Sequence, residues 1–432
     1  MTHSNLHSFI LLAALTAAIQ PAYAQQPPDI VKSDLYGNTA SGTNALLNVQ
    51  GGSGGNDAFG QYALLSNTTG TNNTAVGNEA LMGNTTGYFN TAIGSKALFT
   101  NTTGNENTAS GAGALQLNTT GTSNTATGNN ALFSNTSGNL NTAFGKDALT
   151  DNGTGNNNTA VGGFALATNT TGYDNTAVGQ DALLVNTTGA NNTAFGNLAL
   201  QSNTTGKGNA AQGVNSLFNN TTGIRNLGIG SNALYTNSTG SYNIALGFDA
   251  GYNVANGSNN IEIGSMGTPS DNGTIQIGVQ GTQTLTMIAG IFGTPVSGSA
   301  VYVTSTGQLG VQASSERFKA DVATMPELSG KLAQLRPVTF HYRTDPKSVQ
   351  QYGLIAEEVD RVYPELVIRD GAGRIQGVHY EELAPMLLSE LQQQRRIIAA
   401  QTEHAAFQDA EVRALKRQVA ELIDRQRDRP RP

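Results

Sequence analysis

Asn73-Thr74-Ala75-Val76-Gly77-Asn78-Glu79-Ala80-Leu81-Met82-Gly83-Asn84-Thr85-Thr86-Gly87-Tyr88-Phe89 is one copy of a unit that returns every 17 residues. Its first Asn recurs as Asn56, Asn73, Asn90, Asn107, Asn124, Asn141, Asn158, Asn175, Asn192, Asn209, Asn226, Asn243 and Asn260, and a displaced copy begins at Asn38. A fixed period over so many copies marks a solenoid, in which each copy buries its apolar face by stacking on the next. Several Gly, Asn and Thr residues per copy disfavour helical repeats. The unit therefore predicts two short strands with tight turns between them, Gly87, Gly104 and Gly121 supplying turn conformations that other residues resist. The third position is almost always Ala (Ala75, Ala92, Ala109), and the eighth and ninth are Ala-Leu (Ala80-Leu81, Ala97-Leu98, Ala114-Leu115). Small residues at equivalent places imply a narrow interior. The fourth position ranges from Val76, Ile93 and Phe144 to Ser110 and Gln212, which places it partly buried or at a contact between subunits.

The rest of the chain differs in kind. Among 432 residues there are 52 Gly, no Cys, no Trp and 12% charged residues, with a net charge of -7. That balance gives no electrostatic case for nucleic acid or an anionic membrane. Zero Cys excludes disulfides, thiolate metal sites and a Cys nucleophile. Residues 1–313 hold 17 of the charged side chains and residues 314–432 hold 36, so a domain boundary falls near residue 314. Residues 1–24 read as a secretory signal peptide: an apolar run from Phe9 to Ile19, then Ala22-Tyr23-Ala24 before Gln25, although no Lys or Arg precedes the run. No later stretch approaches the roughly 18 apolar residues of a membrane span, and the terminal Arg429-Pro430-Arg431-Pro432 offers no β-barrel signature. The expectation is an exported chain, periplasmic, cell-surface or extracellular, with no membrane span after signal removal.

The many N-x-[ST] triplets, such as Asn84-Thr85-Thr86, are better explained by Asn ladders at solenoid turns than by glycosylation. Rows of Thr that order water on a flat face are disfavoured because the Thr positions abut turns. A calcium β-roll would need Gly- and Asp-rich turns, and acidic residues are too sparse, so that reading is discarded. The array resembles the head repeats of trimeric adhesins of the bacterial surface, whose N-[ST]-[AV]-x-G units build a left-handed β-roll. The membrane anchor of that family has no counterpart here. The array presents an extended surface, and any surface or glycan ligand it meets is left unnamed.

From residue 265 to 313 the period lapses into a β-rich neck. There Thr274-Ile275-Gln276-Ile277-Gly278 and Leu285-Thr286-Met287-Ile288-Ala289-Gly290 read as short strands. The junction Ser314-Ser315-Glu316-Arg317-Phe318-Lys319 follows. After it come Leu335-Arg336-Pro337-Val338-Thr339-Phe340-His341-Tyr342, Gly353-Leu354-Ile355-Ala356-Glu357-Glu358-Val359, Pro364-Glu365-Leu366-Val367, Val378-His379-Tyr380 and a long helix from about Glu381. Together, over roughly residues 310–400, these resemble the intramolecular chaperone domain at the C-termini of phage endosialidases, tail spikes and tail fibres, found also in the myelin regulatory factor. The resemblance implies a domain that trimerises, helps a β-rich partner fold and then releases itself through a Ser-Lys dyad. It places the nucleophile on Ser314 and the base on Lys319, with Ser315 standing where that family often has Asp. No sialidase activity is implied, because the resemblance is confined to the chaperone.

The chemistry agrees with elementary requirements. A serine hydroxyl is a poor nucleophile until a neighbour takes its proton. A lysine can do so when its pKa falls from about 10.4 towards neutrality, through desolvation or nearby positive charge. Arg317 could add charge, and burial on trimerisation could remove water, making cleavage conditional on assembly. Nucleophile and scissile bond share one chain, so their effective concentration is very high. His341, His379 and His404 show no ligand spacing, and no cofactor or metal is expected. Glu357 and Glu358 suit a solvated helix start and receive no catalytic role.

The last segment carries a heptad: Leu391, Ile398, Ala405, Val412 and Val419 on one seam position, Leu387, Gln394, Gln401, Gln408, Leu415 and Leu422 on the other. The a/d rule alone leans towards a dimer, whereas the resemblance implies a homotrimer. A C-terminal coiled coil that gathers three chains raises their local concentration, which a slow-folding β-solenoid with open ends would need. The expected fold is mostly β: a trimeric β-solenoid stalk, a small α+β chaperone domain and a coiled coil. The expected segments are 1–24 signal peptide, 25–55 N-terminal with the displaced repeat, 56–264 repeats, 265–313 neck, 314–386 chaperone and 387–432 coiled coil. Two functions follow: a single-turnover serine endopeptidase acting in cis at a bond next to Ser314, or a structural fibre whose C-terminal domain is a permanent trimerisation foot.

Overall fold

Asn73 to Phe89 closes one coil and delivers Asn90 to the place above Asn73. Each coil contributes one three-residue strand, such as Thr74–Val76, Thr91–Ile93 and Thr108–Ser110, and the strands stack in parallel and in register. Thr74 pairs with Thr91, Ala75 with Ala92 and Val76 with Ile93. The structure, a computed structural model, describes residues 32–289, 291, 297–326, 329–343 and 349–427, so the signal-peptide segment lies outside the described residues. The chain divides into two compact units near residue 298.

The first unit is the solenoid. Its sheet has sixteen strands in sequence order. The first, Lys32–Ser33, runs antiparallel to Thr39–Ser41 and closes one end. All later pairs are parallel, through Ile261–Ile263 to Ile275–Ile277. Side chains alternate along a strand, so the middle residue of most strands, an Ala, points inward and is wholly buried (Ala75, Ala92, Ala109) while its neighbours face outward. The fourth repeat position is accordingly open: Val76, Ile93, Phe144 and Phe195 are exposed.

The second strand expected in each unit does not form. The Ala-Leu half runs as consecutive turns, and its Leu takes a left-handed backbone in coil after coil (Leu81 φ 50°, Leu98 φ 52°, Leu132 φ 53°). Seventeen residues must close round an interior too narrow for two flat strands. A left-handed Leu reverses the chain and still drops its side chain into the core, where Leu81, Leu98 and Leu132 are fully buried. Coil-to-coil bonding persists without strand geometry, since the Leu81 N–H donates to the Ala97 carbonyl at 3.0 Å. Left-handed backbone costs an L-residue about 1–2 kcal/mol and is worst for β-branched side chains. Leu132→Ile should therefore lower stability by at least about 2 kcal/mol more than the unbranched Leu132→Met, whose repacking costs under about 1.5 kcal/mol. Chemical denaturation followed by circular dichroism measures the gap, and equal midpoints for the two variants would show that the backbone relaxes.

The turn glycines are needed for a reason other than the expected one. Gly87 has no left-handed φ; a Cβ there would lie 2.3 Å from Asn84 Oδ1 and 2.4 Å from the Gly104 carbonyl oxygen. Close approach between coils excludes a side chain. Gly77, inside the coil, combines both demands, with φ +135° and a Cβ position 2.6 Å from the Gly94 oxygen.

Two asparagine ladders run the length of the interior. In one, the amide of Asn90 donates to Asn73 Oδ1 at 3.0 Å and to the Gly104 carbonyl at 2.9 Å, while its backbone N–H also reaches Asn73 Oδ1. In the other, Asn84 donates to Asn67 Oδ1 at 2.8 Å and to the Gly87 carbonyl at 3.0 Å. These side chains are wholly buried. Burying an amide is tolerable when its donors and acceptors are paired. The ladders expected at the turns are thus part of the core itself.

The sheet continues past the lapse in period. Ile261 pairs with Ile275, a 14-residue coil, so the first expected neck strand is the last rung of the solenoid. The second is not a strand: residues 285–289 lack strand pairing, and Leu285, Met287 and Ile288 are exposed. A strand needs an edge to pair with, and this stretch meets none.

The second unit is small and α+β. It contains the hairpins Tyr302–Val303 with Leu309–Gly310, Val338–Phe340 with Gln351–Gly353, and Val367–Arg369 with Ile375–Val378. The helices are Ser329–Leu332, Ala356–Val362 and the 48-residue Tyr380–Arg427. Val359, Tyr363, Leu366, Val367, Val378 and Met386 form its core. Among the described residues no helix is long and apolar enough to cross a membrane.

Candidate functional site

The junction folds as a single 3-10 turn. Glu316–Phe318 forms the turn, Ser315 is its N-cap in extended conformation, and Lys319 is its C-cap with φ -116° and ψ 139°. Two backbone bonds close it: Phe318 N–H to the Ser315 oxygen and Lys319 N–H to the Glu316 oxygen, each 3.0 Å. Ser314 precedes the turn and Lys319 ends it, so the two residues flank one reversal of the chain. Both are exposed, and no hydrogen bond joins the Ser314 hydroxyl to the Lys319 ammonium. The Arg317 guanidinium lies 4.5 Å from the centre of the Phe318 ring. Phe318 (63% exposed), Val311, Val322 and Met325 have their apolar surfaces open within this chain.

The strings downstream build the scaffold of the same unit through identifiable contacts. A Cβ at Gly353 would lie 2.6 Å from the Tyr380 hydroxyl and 3.1 Å from the Phe340 ring, so a side chain there would push that hydroxyl from its place. That hydroxyl accepts the Leu354 N–H at 2.8 Å and ties the start of the long helix to the strand before helix Ala356–Val362. His379 donates its backbone N–H to the Leu366 carbonyl at 2.9 Å, and its Nδ1 sits 2.9 Å from Glu381 Oε1. The Glu381 carboxyl is held below its ordinary range by its own backbone N–H and then by His379.

Glu358 has a partner that the sequence reading did not assign. Arg336 grips it with two nitrogens, Nε to Oε2 at 3.1 Å and a terminal nitrogen to Oε1 at 2.5 Å. This fork holds the Glu358 carboxyl below, and the Arg336 guanidinium above, their ordinary ranges. The pair fastens Leu335-Arg336-Pro337 to the helix, which makes Glu358 structural. The signal was in the sequence as an Arg and a Glu in two adjacent strings, but nothing in their spacing says that they meet.

A family model described as chaperone of endosialidase matches residues 314–368. The match opens on Ser314 and takes in the turn, the strand pair 338–353, helix Ala356–Val362 and the start of the last hairpin. A β-solenoid followed by a region that matches this family model supports a tail-fibre-like protein. The matched family is the one whose members are linked to autoproteolytic intramolecular chaperones. No curated protein and no solved structure matches the chain.

Proposed function

We propose that the chain is an exported homotrimeric stalk, adhesin-like in use, whose C-terminal domain drives assembly and then cuts itself off at a bond next to Ser314. Ser314 acts as the nucleophile and Lys319 as its base. The match that opens on Ser314, within the second unit and past the solenoid, carries this reading. Two features support it. Apolar side chains on the long helix, among them Leu387, Leu391, Ile398, Val412 and Leu422, are exposed in the single chain, as a seam awaiting other copies would be. The dyad's own stretch is flanked by open apolar residues, so closure of three chains over it would remove water from Lys319 and ease its deprotonation. Export through residues 1–24 places the stalk in the periplasm, on the surface or outside.

One observation favours the second reading, a permanent foot: within one chain no hydrogen bond joins the Ser314 hydroxyl to the Lys319 ammonium, and both residues are exposed. Intact mass and sedimentation of the recombinant chain lacking residues 1–24 separate the two. The first reading expects trimers of the stalk and a released fragment that begins at or beside Ser314. A stable trimer of uncut chains would leave the foot as the function.

A further inference from the structure

The slot that holds Ala in nearly every rung (Ala177, Ala194, Ala211 and Ala245, with Gly228 once) holds Glu262 in Ile261–Ile263. The side chain is 0% exposed, and neither carboxylate oxygen has a hydrogen-bond partner. The 14-residue coil that follows is polar inside. Asp271, itself buried, accepts the Thr268 N–H at 2.6 Å, the Thr268 hydroxyl at 2.8 Å and the Gln276 amide at 3.1 Å. Gln276 occupies the inward slot paired with Glu262. The Ser265 hydroxyl stands beside the Glu262 carboxylate, but its one proton goes to Gln276 Oε1 at 2.8 Å, and it accepts the Gly267 N–H. Gly267 keeps the space open: a Cβ there would lie 3.2 Å from Asp271 Oδ2 and 3.3 Å from Glu262 Cδ. Both carboxylates therefore border one small volume. Residues 250–289 contain no Lys, Arg or His.

An unpaired buried carboxylate beside a second one is untenable without a positive partner. We propose that this last coil binds one hard divalent cation, of the calcium class, between the carboxylates of Glu262 and Asp271, with Ser265 Oγ and the Gln276 amide oxygen as neighbouring neutral donors. The donor set is all oxygen, and a loop of mixed carboxylate, hydroxyl and amide groups suits the flexible coordination of calcium better than the strict octahedron of magnesium. No group of three or more His, Cys, Asp or Glu side chains is placed to hold a metal among the described residues, so neutral oxygens must complete the shell. The ion would lock the terminal rung, whose strand Ile275–Ile277 pairs only on one side, and so protect an open sheet edge. This site differs from a roll filled with calcium at every turn, because it occurs once, where the inward Ala is replaced.

A proton is the competing partner. Burial first, and the negative charge of Asp271 as well, push the Glu262 carboxyl up to about 7. If only a proton served, the folded state would hold it more tightly than the unfolded one. Stability would then be full below the unfolded carboxyl range and lost as pH rises through about 7. The full chain, stripped with EDTA and dialysed, is titrated with CaCl2 at pH 7.5 by calorimetry and by thermal melting. Glu262→Ala, which restores the residue of the other rungs, and Glu262→Gln are run beside it. The proposal expects one calcium per chain at or below about 1 mM, the range of extracellular calcium modules, and a melting point that EDTA lowers. Both variants should lose the binding, with Glu262→Ala melting as high with EDTA as with calcium. No binding in the wild type overturns the proposal, most sharply if wild-type stability falls between pH 5 and 7.5 while that of Glu262→Ala does not. Undiminished binding in both variants overturns it too.

Discussion

Ser314→Ala is expected to leave the chain whole under conditions where the wild type releases its C-terminal domain. Without the hydroxyl no acyl-enzyme can form, and the loss should be complete on the timescale of expression. Lys319→Ala removes the base and should slow cleavage by about 10²–10⁴-fold, the usual contribution of a positioned proton acceptor. Lys319→Arg should behave like Lys319→Ala, because a guanidinium stays protonated in proteins. Neither Ser314 nor Lys319 packs in the core of its unit, since both are exposed, so the variants should still fold and assemble. Intact mass and native sedimentation together measure this. Cleavage that persists in Ser314→Ala would assign the nucleophile elsewhere. Cleavage in the wild type that follows protein concentration would fit a dyad completed by association, because closure over Val311, Phe318 and Val322 then requires other copies.

The second large effect concerns the core. Asn141 donates to Asn124 Oδ1 from its backbone at 3.0 Å and from its amide at 3.1 Å, and to the Gly155 carbonyl at 2.8 Å. It accepts from the backbone and amide of Asn158 at 3.0 and 3.2 Å. Asn141→Ala strands two donors of Asn158, its backbone N–H and one amide N–H, whereas Asn124 Oδ1 keeps the backbone N–H of residue 141 and the Gly155 carbonyl keeps the Asn152 amide. At about 1–3 kcal/mol for each buried group left unpaired, the loss should reach about 2–6 kcal/mol. Asn141→Asp should be worse near neutral pH. It keeps the two acceptor contacts but turns an anionic oxygen towards Asn124 Oδ1 and the Gly155 carbonyl, which are both acceptors. Burial and these neighbours would raise the introduced acid's folded pKa above its unfolded value. Its penalty should therefore fade at low pH and grow as pH rises through the folded value. Because each coil touches only its neighbours, the defect should divide the array. Hydrogen exchange should rise first in residues 124–175, and thermal melting should split into two steps. A single unshifted transition would mean that the ladder bonds add little to stability.

Much of this architecture could be read from one 17-residue unit. Ala75 and Leu81 announced a narrow core, and Asn84-Thr85-Thr86 announced a ladder, because identical residues at a fixed period must stack. The left-handed Leu could not be read there, since Leu is no turn residue. The closure of a small ring overrides its local preference, and only the burial of Leu81 and Leu98 offsets the strain. Glu262 was legible but easily missed. Ile261-Glu262-Ile263 looks like a strand with its Glu facing water, until counting two residues on from Asn260 puts it in the slot of Ala75. Beyond the junction, the strings from Gly353 to Tyr380 were readable only as a family resemblance, and the structure supplies their contacts. The pairing of Arg336 with Glu358 was not, because ion pairs between separate strings leave no periodic trace.

The two asparagine ladders also make length a counted quantity. If residues 141–157 were excised, Asn158 would arrive above Asn124 and find the same oxygen that Asn141 had used. Excising one residue fewer would carry a polar side chain into the slot of Ala143 and turn every later rung inside out. The stalk can therefore grow or shrink only by whole coils, each moving its far end by about 4.8 Å. It is a ruler with marks and no fractions, and its reach from whatever holds its base is set by how many copies of one sentence the chain repeats.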